Sequence, residues 1–214
     1  FTKLHAGGKF GGGAYKTSGG LHGVGSSVVN ALSSELRVQS TRGGEVATRT
    51  FERGKVKGRI RKSKAPKKAH GTLVYFCPDE EIFGKKKFNV NTVSDRIRIK
   101  AYLTPGVEFV LAYEGPGHEE ESFCFHGGLT DYLAHTLEEK DYDLITEFPF
   151  SASVQEPRIQ VSLAWTTSTA SSVFSFANGI PTRDGGTHEK GLNAGIIATM
   201  RKTLGRHSLV PKRL

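Results

Sequence analysis

Cysteine is scarce in this chain: Cys77 and Cys124 are the only two in 214 residues. They lack CxxC spacing, which argues against a disulfide framework or a metal site. That usage fits a reduced, cytoplasmic protein whose thiols are buried. There is no run of roughly 18 apolar residues, so no membrane-spanning helix is expected. No hydrophobic segment follows a charged start within residues 1 to 25, so no secretory signal is expected either. Hydrophobic residues make up 36% of the sequence. At this length that is enough to bury a core, in one large domain or two small ones.

Acidic residues are missing from one long stretch. From Arg53 to Lys68 the chain carries Arg53, Lys55, Lys57, Arg59, Arg61, Lys62, Lys64, Lys67 and Lys68, with no Asp or Glu. These nine charges equal the formal net charge of +9, so the rest of the chain is formally neutral. A local basic stripe is what polyphosphates and nucleic-acid backbones attract. It also describes a solvated loop with no partner, and composition does not separate the two. Gly54, Gly58 and Pro66 predict that part of the stretch is loop.

Glycine, by contrast, is abundant and placed with purpose. The chain opens Leu4-His5-Ala6-Gly7-Gly8-Lys9-Phe10 and continues Tyr15-Lys16-Thr17-Ser18-Gly19-Gly20-Leu21-His22-Gly23-Val24-Gly25-Ser26. Several backbone N–H groups converge on a phosphate only where side chains do not block the approach, and glycine also permits φ > 0. The segment runs into a stretch whose Val28, Val29, Leu32 and Leu36 recur at helical spacing. An anion there would meet both free amides and a positive helix end. Ser26 or Ser27 is placed to cap that helix. Lys9 adds a cation, and His22 either donates a hydrogen bond or packs. The embedded Leu4, Phe10, Tyr15, Leu21 and Val24 argue against a mere linker. Two better-known phosphate loops do not fit. GxGxxG lacks its third glycine here, and GxxxxGK[ST] is absent.

Further elements follow from local pattern. Leu36 to Ser40 alternates, and Gly43-Gly44 reads as a hairpin turn into Val46 to Phe51. Thr72 to Phe76 is a β-prone run closed by Pro78. Asn91 is expected to cap a helix through Leu103 that turns Val93, Ile97, Ala101 and Tyr102 inward. Strands are expected over Val107 to Tyr113 and Ser122 to Phe125, with a turn at Gly115-Pro116-Gly117 between them. A helix is expected from Leu129 to Glu139, then irregular chain to Pro157. Ile159, Val161, Leu163 and Trp165 alternate as a half-buried strand, and Val173, Phe174 and Phe176 form another. Asp184-Gly185-Gly186-Thr187-His188 leads into a last helix with Leu192, Ile196, Ile197 and Met200. Strands and helices mixed with hairpins define an α+β fold rather than a doubly wound sheet.

The glycine text, followed by Val28-Val29-Asn30-Ala31-Leu32-Ser33, resembles the ATP lid and following helix of bacterial type IIA topoisomerase B subunits, of the gyrase and topoisomerase IV branches. The resemblance runs along the chain. His70-Gly71-Thr72 is similar to the family's GT strand. Ile180 to His188 is similar to the segment that opens the long helix of its transducer domain. Gly127 to Leu133, and Leu209 to Lys212, lean toward topoisomerase IV.

The resemblance implies a GHKL (Bergerat) ATPase sandwich without its N-terminal part over residues 1–126. The start of a ribosomal-S5-domain-2-like transducer would occupy 127–214. It implies ATP as ligand, wrapped by Gly20, Leu21, His22, Gly23, Val24, Gly25 and Ser26, with Gly7, Gly8, Lys9 and Tyr15 in the lid. Arg42 would border the adenine pocket, where aminocoumarins also bind, and Thr72 would reach the adenine-side water network. The general-base Glu, the Mg²⁺-binding Asn and the adenine-reading Asp of the family lie upstream of the lid. Residues 1–214 alone are therefore expected to hydrolyse no ATP. In an intact enzyme the partners would be DNA, a topoisomerase A subunit in an A2B2 complex, and a second B subunit that dimerises on ATP binding. Two other readings stay open: a GHKL ATPase of another kind, and a non-catalytic nucleic-acid-binding module built on Arg53 to Lys68.

Overall fold

Gly43 and Gly44 set the first sheet. Their φ values of 62° and 84° make the tight turn that matches the twist of flanking strands. In the computed structural model, which describes residues 1–5, 23–114, 120–156 and 158–209, the chain packs as two units, Phe1–Asn89 and Val90–Leu214.

The first unit begins with a short helix, α1 (Gly25–Ala31). Four antiparallel strands follow: β1 (Ser33–Arg42), β2 (Glu45–Glu52), β3 (Lys55–Lys64) and β4 (Gly71–Pro78). They lie in the order β3-β2-β1-β4, and a single turn, α2 (Glu80–Phe83), comes after. Register sorts the side chains. Leu36 pairs with Phe51 and Phe76, Val38 with Arg49 and Val74, and Ser40 with Ala47 and Thr72. Directly paired residues share a face, so this face is apolar near Leu36. The opposite face carries Arg37, Gln39, Thr41, Thr48 and Thr50. Leu36 is fully buried.

The apolar stripe expected on the first helix is not what packs. α1 ends at Ala31, and Leu36 belongs to β1. Val28 and Val29 are exposed, whereas Ser27 and Asn30 are buried. The reason lies in their partners. Ser27 Oγ donates to Lys3 O at 3.2 Å, and Asn30 Nδ2 donates to Phe1 O at 2.8 Å. A buried polar group with a partner is cheaper than a valine with nothing to pack against. Neither serine caps the helix; the N-cap is Val24, without a side-chain bond.

The basic stretch is more strand than loop. Lys55–Lys64 forms β3, with Gly58 (φ 67°) in an irregularity where the pairing steps between Thr48 and Thr50. Backbone bonds tie the base of the sheet together: Gly54 N to Asn30 O (3.0 Å), Arg53 N to Ser33 O (2.9 Å) and Asp79 N to Leu32 O (3.0 Å).

The second unit opens with α3 (Val90–Leu103) and the hairpin β5 (Phe109–Ala112) and β6 (Glu120–Phe123). Next come α4 (Leu129–Glu139) and the hairpin β7 (Phe150–Gln155) and β8 (Arg158–Leu163). The two-residue strands β9 (Phe176–Ala177) and β10 (Ile180–Pro181) precede α5 (Thr187–Arg206). Its core gathers Ala101, Tyr102 and Phe123. The Tyr102 ring stacks on Phe125 at 3.8 Å and sits 5.3 Å from Tyr132, which meets Phe174 and Phe176 edge-on. Burial pushes both tyrosine hydroxyls up from their ordinary pKa.

Several expectations change here. Residues 150–155 form a strand, because β8 supplies a full antiparallel register that local pattern does not reveal. Val173 and Phe174 lie outside β9, which has only two paired residues. Asn91 is inside α3 rather than at its cap. Cys77 and Cys124 are both exposed rather than buried. The turn at 115–117 lies outside the described residues.

Candidate functional site

Gly23 (φ 61°) bends the chain into α1, a backbone state that favours glycine. The first intrahelical bond there is Val28 N to Val24 O, at 2.9 Å. The amides of Gly25, Ser26 and Ser27 therefore precede the helical ladder. No acidic side chain occupies the first turn. Gly25 itself is not sterically compelled: a Cβ built there meets nothing within 4 Å.

The residues before the glycine-rich text return to the same helix. Phe1 packs its ring 5.7 Å from Phe51. The carbonyls of Phe1 and Lys3 accept from Asn30 and Ser27. Both ends of the 6–22 segment are thus held on α1, one by side-chain bonds and the other by covalent continuity. Gly7, Gly8, Lys9, Tyr15, Gly20, Leu21 and His22 lie outside the described residues; Gly23, Val24, Gly25 and Ser26 lead into or open the helix.

Arg42 and Thr72 share the Leu36 face of the sheet. Thr72 lies opposite Ser40, and Arg42 is two residues along from Ser40. Both are exposed. Glu45, opposite Arg42, pairs instead with Lys62 at 2.8 Å. Val29 of α1 and its C-cap residue Leu32 line a groove of about 250 Å³ with Phe76, which is on this same face. At about 3.3 Å per residue, the Thr72 row is roughly 13 Å from the Leu36 row, and Arg42 is roughly 20 Å from it. One sheet face thus meets the C-terminal end of α1 near one end and presents an Arg/Thr/Ser cluster toward the other.

Pattern reading did not single out Asn30 or the Arg53–Asp79 clamp. Asn30 is fully buried, and its Oδ1 has no partner among the described residues. Its one local signal is a polar pair, Ser27 and Asn30, spaced three apart amid valines. Arg53 (φ 45°) forks onto Asp79, with Nη2 3.1 Å from Oδ1, and also meets Glu81. Asp79 also accepts from Glu81 N, capping α2. The Arg53 guanidinium, then that amide, holds the Asp79 carboxyl below the usual carboxylate range. Nothing local links residues so far apart in sequence. Among the described residues no group of three His, Cys, Asp or Glu is placed to hold a metal ion.

Farther along, Ser175 bonds to both Thr182 and Glu189. Thr182 lies 3.4 Å from the His188 ring. This polar knot fixes the turn that starts α5.

Comparisons with known proteins agree with one another. The DNA gyrase B family model matches residues 128–214. The B subunit of DNA topoisomerase 4 from Streptococcus pneumoniae is 40% identical over 215 residues, covering 100% of this chain and 33% of that protein. The B subunit of DNA gyrase from Streptococcus pyogenes serotype M1 is 41% identical over 198 residues, covering 92% of this chain and 30% of that protein. The chain therefore spans about a third of the length of the curated relatives it matches. Among solved structures, the 43K ATPase domain of Thermus thermophilus gyrase B, in complex with an aminocoumarin, superposes with a TM-score of 0.76 at 32% identity. That match covers 90% of this chain and 52% of that one. The topoisomerase IV ATP-binding domain of Francisella tularensis gives a TM-score of 0.72 at 30% identity, covering 92% and 54%. The α+β fold is thus that of the GHKL ATPase domains of gyrase B. The chain fits a stretch of a type IIA topoisomerase B subunit.

Proposed function

We propose that this chain supplies the lid-bearing part of the ATP site in a type IIA topoisomerase B subunit, and that ATP-driven dimer closure powers DNA strand passage in the intact enzyme. The observation that carries this reading is the pinning of both ends of the glycine-rich segment on α1. Fixed ends are what a segment needs in order to act as a lid between two states. Gly7, Gly8, Lys9 and Tyr15, with Gly20 to Ser26, would wrap the triphosphate. Arg42 and Thr72, toward the far end of the same face, would meet the base. Polarised amides and cations on the phosphates are what this chain would contribute to the chemistry. Among the described residues no group of three His, Cys, Asp or Glu is placed to hold the magnesium ion.

The domain boundary in this reading is at Gly127, with the ATPase portion at 1–126 and the transducer portion at 127–214. Its support is the family match that begins at residue 128. The segment that starts α5, held by the bonds among Ser175, Thr182 and Glu189, would carry the nucleotide state toward the DNA gate. The partners would be DNA, a topoisomerase A subunit in an A2B2 complex, and a second B subunit. The setting would be the cytoplasm. Among the described residues no helix is long and apolar enough to cross a membrane.

The test is titration of the full-length protein with a fluorescent, non-hydrolysable ATP analogue. Saturable binding that an aminocoumarin displaces, and that Arg42→Ala and Thr72→Ala each weaken, is expected. Binding that is absent, or indifferent to both substitutions, would overturn the reading.

A further inference from the structure

The edge strand β3 carries more positive charge than protection of a sheet edge requires. One or two lysines suffice to blunt an edge. Here every residue of β3 is exposed, and the run from Arg53 to Lys68 contains no acid. Three of its cations are neutralised: Arg53 by Asp79 and Glu81, Lys57 by Glu52, and Lys62 by Glu45. Lys55, Arg59, Arg61, Lys64, Lys67 and Lys68 have no ion-pair partner among the described residues.

Register decides which way the strand presents these groups. Lys55 lies opposite Glu52, Lys57 opposite Thr50 and Arg61 opposite Thr48. They project on the face that also carries Gln39, Thr41 and Arg37, away from the Leu36 face. Arg59 sits between Lys57 and Arg61, in the irregular segment opened by Gly58. Alternate residues on a strand are about 6.6 Å apart. The result is a row of cations flanked by a row of hydroxyls from Thr48 and Thr50. The acids of this face, Glu35 and Glu52, are already engaged by Arg37 and Lys57.

We propose that this face of β3 docks the sugar-phosphate backbone of duplex DNA, independently of sequence. Charge complementarity supports it, because cations in a row neutralise successive phosphates while hydroxyls donate to their oxygens. The lack of stacking groups selects the duplex over single strands. The aromatic residue of this face is Tyr75 on β4, separated from β3 by two strands, and Arg37 already covers its ring at 5.3 Å. Single-strand binding relies on exposed aromatic platforms. The inference deepens the DNA-partner reading above, but its test does not pass through the nucleotide site.

The experiment measures affinity of the full-length protein for a short duplex DNA across a salt series. The triple variant Lys55→Gln, Arg59→Gln, Arg61→Gln is compared with Lys85→Gln, Lys86→Gln, Lys87→Gln, which removes equal charge from the segment after α2. Each lost phosphate contact lowers the slope of log affinity against log salt by about 0.9. The first triple is therefore expected to reduce the slope by about 2.7, and the second to leave it unchanged. An unchanged slope in the first triple, or equal falls in both, overturns the proposal. So does binding to phosphatidylserine vesicles without binding to duplex. Circular dichroism and urea midpoints matching the wild type confirm that both triples fold. ATP-analogue affinity measured on the same proteins separates the two readings. Its loss, with the DNA slope intact, sinks the nucleotide reading and leaves this one standing.

Discussion

Asn30 gives the sharpest test of how the glycine-rich segment is anchored. Its Nδ2 donates to Phe1 O at 2.8 Å, and its main-chain O accepts from Gly54 N at 3.0 Å. Asn30→Ala keeps the main-chain bond and deletes the side-chain one. It also removes the orphan Oδ1, which offsets part of the loss. A net intramolecular hydrogen bond contributes about 1 kcal/mol, a factor of roughly five in the folding equilibrium. Asn30→Asp has nearly the same shape and the opposite consequence. It places a carboxylate at a fully buried position, facing a carbonyl oxygen that offers no proton. Desolvation of such a charge costs several kcal/mol. The group escapes by holding its proton, so its folded pKa rises above the unfolded value of about 3.9. Stability is then greatest below the unfolded pKa and falls as pH rises through the folded one. Urea unfolding of both variants from pH 4.5 to 8 is the assay. The expected result is a small, pH-flat loss for Asn30→Ala and a growing loss with pH for Asn30→Asp. ATP-analogue binding should weaken in both, because the chain before the segment, held through Phe1 O, is released. An Asn30→Asp penalty that does not change with pH would refute the anchoring argument.

Three further outcomes follow from the first unit. Leu36→Ala empties the centre of the sheet face between Phe51 and Phe76; a loss of about 2–5 kcal/mol is expected, read as a lower urea midpoint at unchanged m-value. Asp79→Asn should flatten the acid limb of the stability profile. The lowered Asp79 pKa contributes stability that is present above the ordinary carboxylate value and lost as pH falls through the depressed one; equal acid sensitivity in wild type and variant would count against it. Gly44→Ala meets only ordinary contacts near Ala65 and Lys67. Its expected cost of about 1–2 kcal/mol therefore comes from the φ of 84°, and thermal melting should show it.

What was legible in the sequence was local. The Gly43-Gly44 turn, the β-prone run at Thr72 and the helix Leu129–Glu139 each announce themselves through a few neighbouring residues, and each stands where pattern put it. Where pattern failed, the deciding contact was distant. β7 exists because β8 pairs with it. Ser27 and Asn30, not Val28 and Val29, are the buried residues of α1 because Phe1 and Lys3 return to bond them.

By itself the amino-acid sequence determined the Gly43-Gly44 turn, most of the strands and the α+β class, since backbone preference and periodicity act over a few residues. Only the tertiary structure decided which residues act together. Register put Arg42 and Thr72 on one sheet face and Lys55 and Arg61 of β3 on the other. A shift of one residue would exchange the two faces, and that choice rests on pairing between strands, not on any single stretch of chain.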